Sequence, residues 1–201
     1  MSFQDRFIYS HNDDNSMSKI LAIIASPRKG GNCETIVNAI TDGAMGLSPN
    51  VLDIINLNSL RFTSGCQACM GCKLTGACVT KDDLQPILNL IKEADSLIVA
   101  TPVYFGHSSS QYRMLEDRLY CFIDKDGSGL LPKGKRLVTV VTCGDDAETA
   151  ESVADSIEEV LVGLFSFRPT GRIVLTDKGS KSTAENSDEL LEKARALGKM
   201  L

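Results

Sequence analysis

Short apolar segments alternate with longer amphipathic ones along most of this 201-residue chain, and this alternation restricts the possible folds more than any other feature. The clearest apolar runs lie at residues 20–25, 96–101 and 136–142. Runs of this length without polar alternation are typical of strands buried on both faces of a parallel sheet. Residues 51–57 and 171–176 are weaker examples of the same pattern. The sequence therefore predicts five parallel strands.

Amphipathic segments between and after these runs predict five helices. They lie at residues 33–45, 83–94, 110–122, 148–165 and 187–201. Asp83 is predicted to cap the second helix, and Pro102 to end the third strand. Because strands and helices alternate and crossovers are right-handed, the sheet is expected to be doubly wound, with helices on both faces. Five such strands favour the flavodoxin-like α/β fold with strand order 2-1-3-4-5.

Composition and charge narrow the class of protein. Residues 1–16 are polar and aperiodic, and are interpreted as a flexible N-terminal extension before a single domain at 17–201. The formal net charge is −5 and the basic residues are scattered, which argues against a nucleic-acid partner. No segment offers the ~20 apolar residues of a membrane span, and no secretory signal is evident. We therefore expect a cytoplasmic protein with no membrane partner.

The loop after the first predicted strand carries groups suited to a phosphate monoester. Ser26 offers a hydroxyl, Arg28 a guanidinium fork, and Gly31 close approach of the backbone. Asn32 and Cys33 begin a helix whose first N–H groups attract anions. Neither the GxxxxGK[ST] nor the GxGxxG spacing is present, so those nucleotide motifs are not predicted. The alternative is a plain strand-to-helix turn with a solvated basic side chain.

Two further loops are expected at the same rim of the sheet, because they follow the third and fourth strands. The first loop combines two aromatic rings with a glycine and suits the flat, partly polar ring of a flavin. Its candidate residues are Pro102, Val103, Tyr104, Phe105 and Gly106. Cys143 and Gly144 come from the second loop, whereas His107 is interpreted as a solvated residue. The alternative is that the aromatic residues simply pack beneath a loop.

Four cysteines are concentrated in a long irregular stretch, residues 58–80. Cys66, Cys69, Cys72 and Cys78 have the spacing Cys-x2-Cys-x2-Cys-x5-Cys. Thiolates at such short spacing can wrap around a compact cubane, and iron–sulfur clusters are usually held by four cysteines. Three alternatives stay open: a zinc site, a redox-active thiol set, and cysteines that bind no metal. Cys121 is predicted to be a core residue.

Three segments resemble the NADPH-dependent FMN reductase-like flavoproteins: IASPRKGGNC at 24–33, TPVYFG at 101–106 and EDR at 116–118. The resemblance extends over about residues 19–201. It implies that Ser26, Arg28, Asn32 and Cys33 hold the phosphate of FMN, and that the loop after the third strand lies along the isoalloxazine. Cys33 stands where the family more often has Ser or Thr, which weakens one hydrogen bond to phosphate.

The cysteine spacing is similar to that of the iron–sulfur flavoproteins, a branch of this family with one [4Fe-4S] cluster per subunit. This similarity implies that Cys66, Cys69, Cys72 and Cys78 are the cluster ligands. The expected function is then electron transfer between a donor, ferredoxin or NAD(P)H, and a small acceptor. No side chain is assigned a catalytic role.

Two other functions remain possible at this stage. One is an NAD(P)H-dependent FMN or quinone reductase without a cluster, and the other is a non-catalytic electron carrier or redox sensor. A homodimer or homotetramer is expected in either case, because the long cysteine-rich loop would be poorly buried on a lone domain.

Overall fold

Five parallel strands and one short antiparallel strand form the centre of the computed structural model, which describes residues 17–46, 49–62 and 64–201. The strands are β1 (Lys19–Ile24), β2 (Val51–Asn56), β3 (Ser96–Tyr104), β4 (His107–Ser108), β5 (Arg136–Cys143) and β6 (Arg168–Thr176). The parallel strands follow the order β2-β1-β3-β5-β6, and β4 folds back on β3. Apart from β4, this is the predicted order, and the flavodoxin-like fold is confirmed. The proposed extension at 1–16 lies outside the described residues.

Six helices accompany the sheet in the described part of the chain. They are α1 (Asn32–Met45), α2 (Cys72–Thr75), α3 (Gln85–Glu93), α4 (Ser110–Arg118), α5 (Ala147–Glu158) and α6 (Asp188–Gly198). A single 3-10 turn, Leu119–Phe122, prolongs α4, and a π-helical segment, Glu159–Leu164, prolongs α5. Over the part of the chain that the structure describes, none of these helices has the length and apolarity needed to cross a membrane.

Successive side chains of β1 point into two different cores. Leu21 and Ile23 belong to a cluster that includes apolar residues of α3, α4 and α5. Ile20, Ala22 and Ile24 belong to a second cluster with α1 and α6. Because strand side chains alternate between the two faces, an uninterrupted apolar run is required only where both faces are covered. The prediction of a strand buried on both faces is confirmed.

Two local predictions were wrong. β3 was expected to end at Pro102, but it continues through this proline to Tyr104. Its pairing with β1 ends earlier, at Ala100. No residue of β3 beyond Ala100 pairs with β1, so the missing N–H of Pro102 removes no hydrogen bond between these two strands. At the start of α3 it is Asp82, and not Asp83, whose carboxylate accepts from the backbone N–H of Leu84 and Gln85.

Helices α1 and α6 lie on the same face of the sheet and contact each other closely at two glycines. A Cβ atom on Gly198 would lie 1.8 Å from the carbonyl oxygen of Ile40, and one on Gly43 would lie 2.1 Å from that of Arg195. These are backbone atoms, so no side-chain rotation can relieve the overlap. The two helices can therefore pack at this distance only with glycine at both positions.

Replacement of Gly198 by alanine should destabilise the fold by about 1–3 kcal/mol, the usual cost of overpacking. Gly163→Ala is the matched control, because a Cβ there would meet nothing within 4 Å. Urea unfolding of the flavin-free proteins measures both changes in the free energy of unfolding. Equal midpoints for Gly198→Ala and Gly163→Ala would contradict the close helix contact.

Candidate functional site

A crevice opens at the carboxyl ends of the parallel strands. It lies at the switch point, since the chain passes from β1 to β2 on one side and then returns to β3 on the other. Its lining residues are Ser26, Arg28, Asn32, Cys33, Pro102, Val103, Tyr104, Thr142, Gly144, Asp177 and Gly179. The fold thus brings together residues from all three predicted loops.

Four predicted site residues do not line this crevice: Gly31, Phe105, Gly106 and Cys143. Gly31 allows close packing within its loop, because a Cβ there would lie 3.1 Å from the Cβ of Arg28. Cys143 is buried, and its sulfur accepts from the backbone N–H of Asp145 at 3.4 Å. Their predicted contacts with a cofactor stay predictions.

Three lining residues were missed by sequence reasoning: Thr142, Asp177 and Gly179. Thr142 is the penultimate residue of β5, and Asp177 and Gly179 follow β6. The position of Asp177 and Gly179 could have been inferred from topology. The loop after β6, the fifth parallel strand, starts at the same rim of the sheet as the other loops of the crevice. No motif in 177–179 identifies them.

The phosphate corner of the crevice joins the start of α1 to the loop after β6. The guanidinium Nη1 of Arg28 donates to the carbonyl oxygen of Gly179 at 3.1 Å. The Ser26 hydroxyl is buried and accepts from the Arg28 backbone N–H at 3.2 Å. Gly30 has a φ of 64°, which turns the chain into the helix. Asn32 and Cys33, the first residues of α1, line the crevice beside the cationic Arg28, and a helix N-terminus next to a cation favours a phosphate.

Asn32 holds the loop after β6 against the first turn of α1. Its amide nitrogen donates to the Asp177 carboxylate at 2.8 Å and to the Ser180 carbonyl at 2.7 Å. Its oxygen accepts from the backbone N–H of Ala184 at 2.9 Å. Both amide donors are therefore used within the protein. What Asn32 can offer an anion is its backbone N–H, and its side chain positions the surrounding wall.

The Cys33 thiol forms part of the floor of the crevice. It is 1% exposed, and its sulfur lies 3.4 Å from the Thr142 hydroxyl oxygen. Burial raises the pKa of the Cys33 thiol to about 11. At neutral pH this group is a neutral thiol, which can contact an anion without repelling it.

The β3–β4 hairpin forms the wall opposite the phosphate corner. Tyr104 pairs with His107 across the turn, and the two tip residues, Phe105 and Gly106, have φ values of 51° and 77°. Two successive positive φ values are typical of a type I′ turn. Tyr104 lines the crevice, whereas the Phe105 side chain at the tip is fully exposed. Of the two predicted aromatic rings, only Tyr104 faces the crevice in this conformation.

Ser109 ties this hairpin to the phosphate loop. Its buried hydroxyl donates to the Ala25 carbonyl at 2.8 Å and accepts from the backbone N–H of Tyr112, which caps α4. Its own N–H donates to the Thr101 hydroxyl at 3.0 Å. The ends of β1 and β3 and the start of α4 are thereby fixed relative to one another.

A second pocket contains all four cysteines of the predicted cluster motif. Its lining residues are Cys66, Gln67, Cys69, Met70, Cys72, Cys78, Val79, Thr80, Arg118, Tyr120 and Cys121. The chain curls around it by means of two non-glycine residues with positive φ, Ala68 at 51° and Met70 at 59°. Cys121 is buried as predicted, but it also faces this pocket as a fifth thiol.

Side chains from neighbouring elements hold the cysteine loop. Lys73 donates to the carbonyl oxygens of Tyr120 and Ile123, and its ammonium lies 4.1 Å from the centre of the Tyr120 ring. On the other side, the Gln85 amide donates to the Cys78 carbonyl at 3.0 Å. The loop is irregular, but its position is therefore determined by α2, α3 and the turn after α4.

The cysteine pocket has the chemistry of a soft-metal site. Four thiols and an arginine N–H directed at Cys78 surround one cavity, which suits iron–sulfur or zinc ligation. Among residues 17–46, 49–62 and 64–201, no three His, Cys, Asp or Glu side chains are arranged closely enough to hold a metal ion. The donor set fits such a group by its chemistry, and the sulfur atoms would have to converge further to bind it.

A doubly wound parallel sheet with a crevice at the β1–β3 switch point defines a flavodoxin-like α/β protein. Residues 18–180 match the family model of NADPH-dependent FMN reductases. The chain belongs to this family of FMN proteins, and it is a flavin-dependent oxidoreductase. The resemblance seen in its motifs is confirmed.

One relative is similar to this chain in sequence, and two solved structures are similar to it in fold. The chain is 33% identical over 146 residues to an iron-sulfur flavoprotein of Methanosarcina thermophila, covering 68% of this chain and 71% of that protein. The fold is similar to an NAD(P)H:quinone oxidoreductase from Methanothermobacter marburgensis, with a TM-score of 0.69 at 17% identity over 92% of this chain and 98% of that one. A flavodoxin from the domain Archaea gives a TM-score of 0.55 at 15% identity, covering 90% and 94%.

Arg28→Gln should weaken FMN binding about 10- to 100-fold, because a hydrogen bond to a charged group contributes roughly 1.5–3 kcal/mol. Lys29→Gln is the control, since Lys29 is exposed in the same loop and does not line the crevice. Quenching of flavin fluorescence measures both dissociation constants. Riboflavin, which lacks the phosphate, should bind all three proteins alike; an equal loss for riboflavin would contradict a phosphate role for Arg28.

Cys33 should resist iodoacetamide in the native, metal-free protein while the exposed Cys66 and Cys69 react. A pKa near 11 leaves on the order of 0.1% of the Cys33 thiol ionised at pH 8. Burial also restricts access of the reagent to the sulfur atom. Its labelling rate should rise with pH up to about 11, because the thiolate is the reactive form. Peptide mass spectrometry reports each site, and labelling in urea is the control. Equal native rates for Cys33 and Cys66 would refute the buried neutral thiol.

Proposed function

We propose that this protein is an iron–sulfur flavoprotein, with FMN in the switch-point crevice and a [4Fe-4S] cluster on Cys66, Cys69, Cys72 and Cys78. The observation that carries the proposal is that all four cysteines of the compact motif line one pocket, although they lie on a loop without regular structure for most of its length. The name of the Methanosarcina relative supports the same assignment. In this arrangement Ser26, Arg28 and the first turn of α1 hold the phosphate, and Tyr104 lies beside the ring.

The two sites supply complementary redox chemistry when loaded, since a flavin exchanges one or two electrons and an iron–sulfur cluster exchanges one. The protein would then connect a one-electron donor such as ferredoxin, or NAD(P)H, to a small acceptor. The contributions of this chain are binding, orientation and control of the potentials. We assign no general acid or nucleophile, because none of the crevice contacts requires one.

Anaerobic purification followed by a visible spectrum and iron, sulfide and zinc analysis tests this proposal. We expect FMN and about four irons and four sulfides per chain, as a [4Fe-4S] cluster requires. Cys69→Ser should lose the iron while FMN stays bound, because the two pockets share no lining residue. Cys121→Ala is the matched control and should keep the iron. Stoichiometric FMN with zinc, or with no metal, would overturn the cluster assignment.

A second candidate is an NAD(P)H-dependent FMN or quinone reductase without a cluster. It is favoured by the description of the family and by the name of the Methanothermobacter protein. In this case the metal-free protein should oxidise NAD(P)H at the same rate as the protein purified without oxygen. A rate that depends on iron content would argue for the first function.

We further propose a homodimer or homotetramer in which a second copy covers the cysteine loop. The loop and its neighbours expose several large apolar side chains, among them Leu74 at 90% exposure together with Met70, Val79 and Tyr120. Such a group of side chains is unusual on a monomer surface. Light scattering coupled to size-exclusion chromatography tests the assembly, and a monomer that carries both cofactors would contradict it.

A further inference from the structure

Arg118 is the most deeply buried charged side chain that the structure describes beside the cysteine pocket. It is the last residue of α4 and is 1% exposed. A guanidinium cannot lose its charge in a protein, so burial of this kind requires partners for its N–H groups. Asp82 supplies most of them, accepting from Nη1 at 2.9 Å and from Nη2 at 3.2 Å. Burial opposes the charge, but the paired carboxylate outweighs it and raises the pKa of Arg118.

The fork to Asp82 leaves the Nε–H of Arg118 directed at a sulfur atom. Nε donates to the Sγ of Cys78 at 3.2 Å, well inside the range for a hydrogen bond to sulfur. The backbone of the same residue is held independently, since the Gln85 amide donates to the Cys78 carbonyl. Cys78 is therefore anchored through both its side chain and its backbone. Its sulfur receives a donor from a cation that is shielded from water.

We propose that Arg118 is a positioning residue for the cluster, which orients Cys78 and makes the cluster easier to reduce. This inference rests on the proposed function, because it concerns a cluster bound by Cys78. Reduction adds an electron and increases the negative charge on the sulfur ligands. A donor from a cation stabilises the reduced form more than the oxidised form, and hydrogen bonds to the sulfurs are among the factors that set such potentials. Because Arg118 is 1% exposed, its effect on Cys78 is weakly screened.

A purely structural role for Arg118 makes a different prediction. Asp82 also accepts from the backbone N–H groups at the start of α3, so Arg118 could serve only to hold that carboxylate. Loss of Arg118 would then lower thermal stability and leave the cluster potential unchanged. The midpoint potential therefore separates the two roles, whereas stability and activity do not.

The test is a redox titration, monitored by electron paramagnetic resonance, of the full chain purified without oxygen. Arg118→Lys keeps a charge beside Asp82 but lacks the planar fork that contacts carboxylate and sulfur together. Its iron content should stay near that of the wild type, and the equilibrium constant for cluster reduction should fall at least tenfold, which is ~59 mV for a one-electron couple. Arg118→Gln removes the charge and should give a larger shift with partial loss of iron.

Arg172→Gln is the matched control, because Arg172 on β6 forms a similar fork with Glu158 at the end of α5 and lines neither pocket. Its equilibrium constant for cluster reduction should stay within twofold of the wild-type value. The FMN content of each variant shows whether it has folded. If Arg118→Gln does not bind FMN, the potential of Arg118→Lys tests the role of Arg118. Iron-loaded Arg118→Lys with the wild-type potential would overturn this inference and leave the proposed function intact. A wild-type protein without iron would overturn the proposed function, and the inference with it.

Discussion

The parallel pairing of β1 with β2 on one side and β3 on the other is the constraint on which the rest of the structure depends. It requires a strand whose side chains are apolar on both faces, and it places the loops after β1 and β3 side by side at one rim. The helix that follows β1 then presents its first N–H groups to the crevice between them. Ser109 holds this geometry, because its hydroxyl links the start of α4 to the carbonyl of Ala25, the first residue after β1. The crevice in which we propose the phosphate site is thus a consequence of strand order.

Helix α4 connects the two sites. It begins beside the crevice, where Ser109 caps it, and it ends at Arg118 beside the cysteine pocket. Its nine residues span roughly 13 Å along the axis, so one rigid element fixes the separation of the two pockets. The two pockets differ in chemistry as well as in place: the crevice is lined by the start of α1 and a guanidinium, and the second pocket is lined by thiols. A substitution at one end of α4 therefore leaves the lining of the pocket at the other end unchanged.

Much of the fold could be predicted from local patterns, and less of the site. Burial on both faces leaves a continuous apolar run at β1, and the spacing of the four cysteines is visible without any structure. Pro102 was misleading, because its tolerance depends on where the neighbouring strand ends. The partners of the Asn32 side chain could not be predicted either: its amide nitrogen donates to Asp177 and to the Ser180 carbonyl in the loop after β6. These contacts join residues more than a hundred positions apart, and no local pattern reports them.

The sequence by itself determined the number and type of the main elements, the polar and cationic groups of the loop after β1, and the compact spacing of four cysteines. These properties depend on residue type and on spacing along the chain. Only the tertiary structure decided which side chains meet: Thr142, Asp177 and Gly179 in the crevice, and Arg118 and Cys121 beside the cysteines. The physical reason is that hydrogen bonds and burial act over a few ångströms in space, and the order of the strands decides which distant segments come within that range.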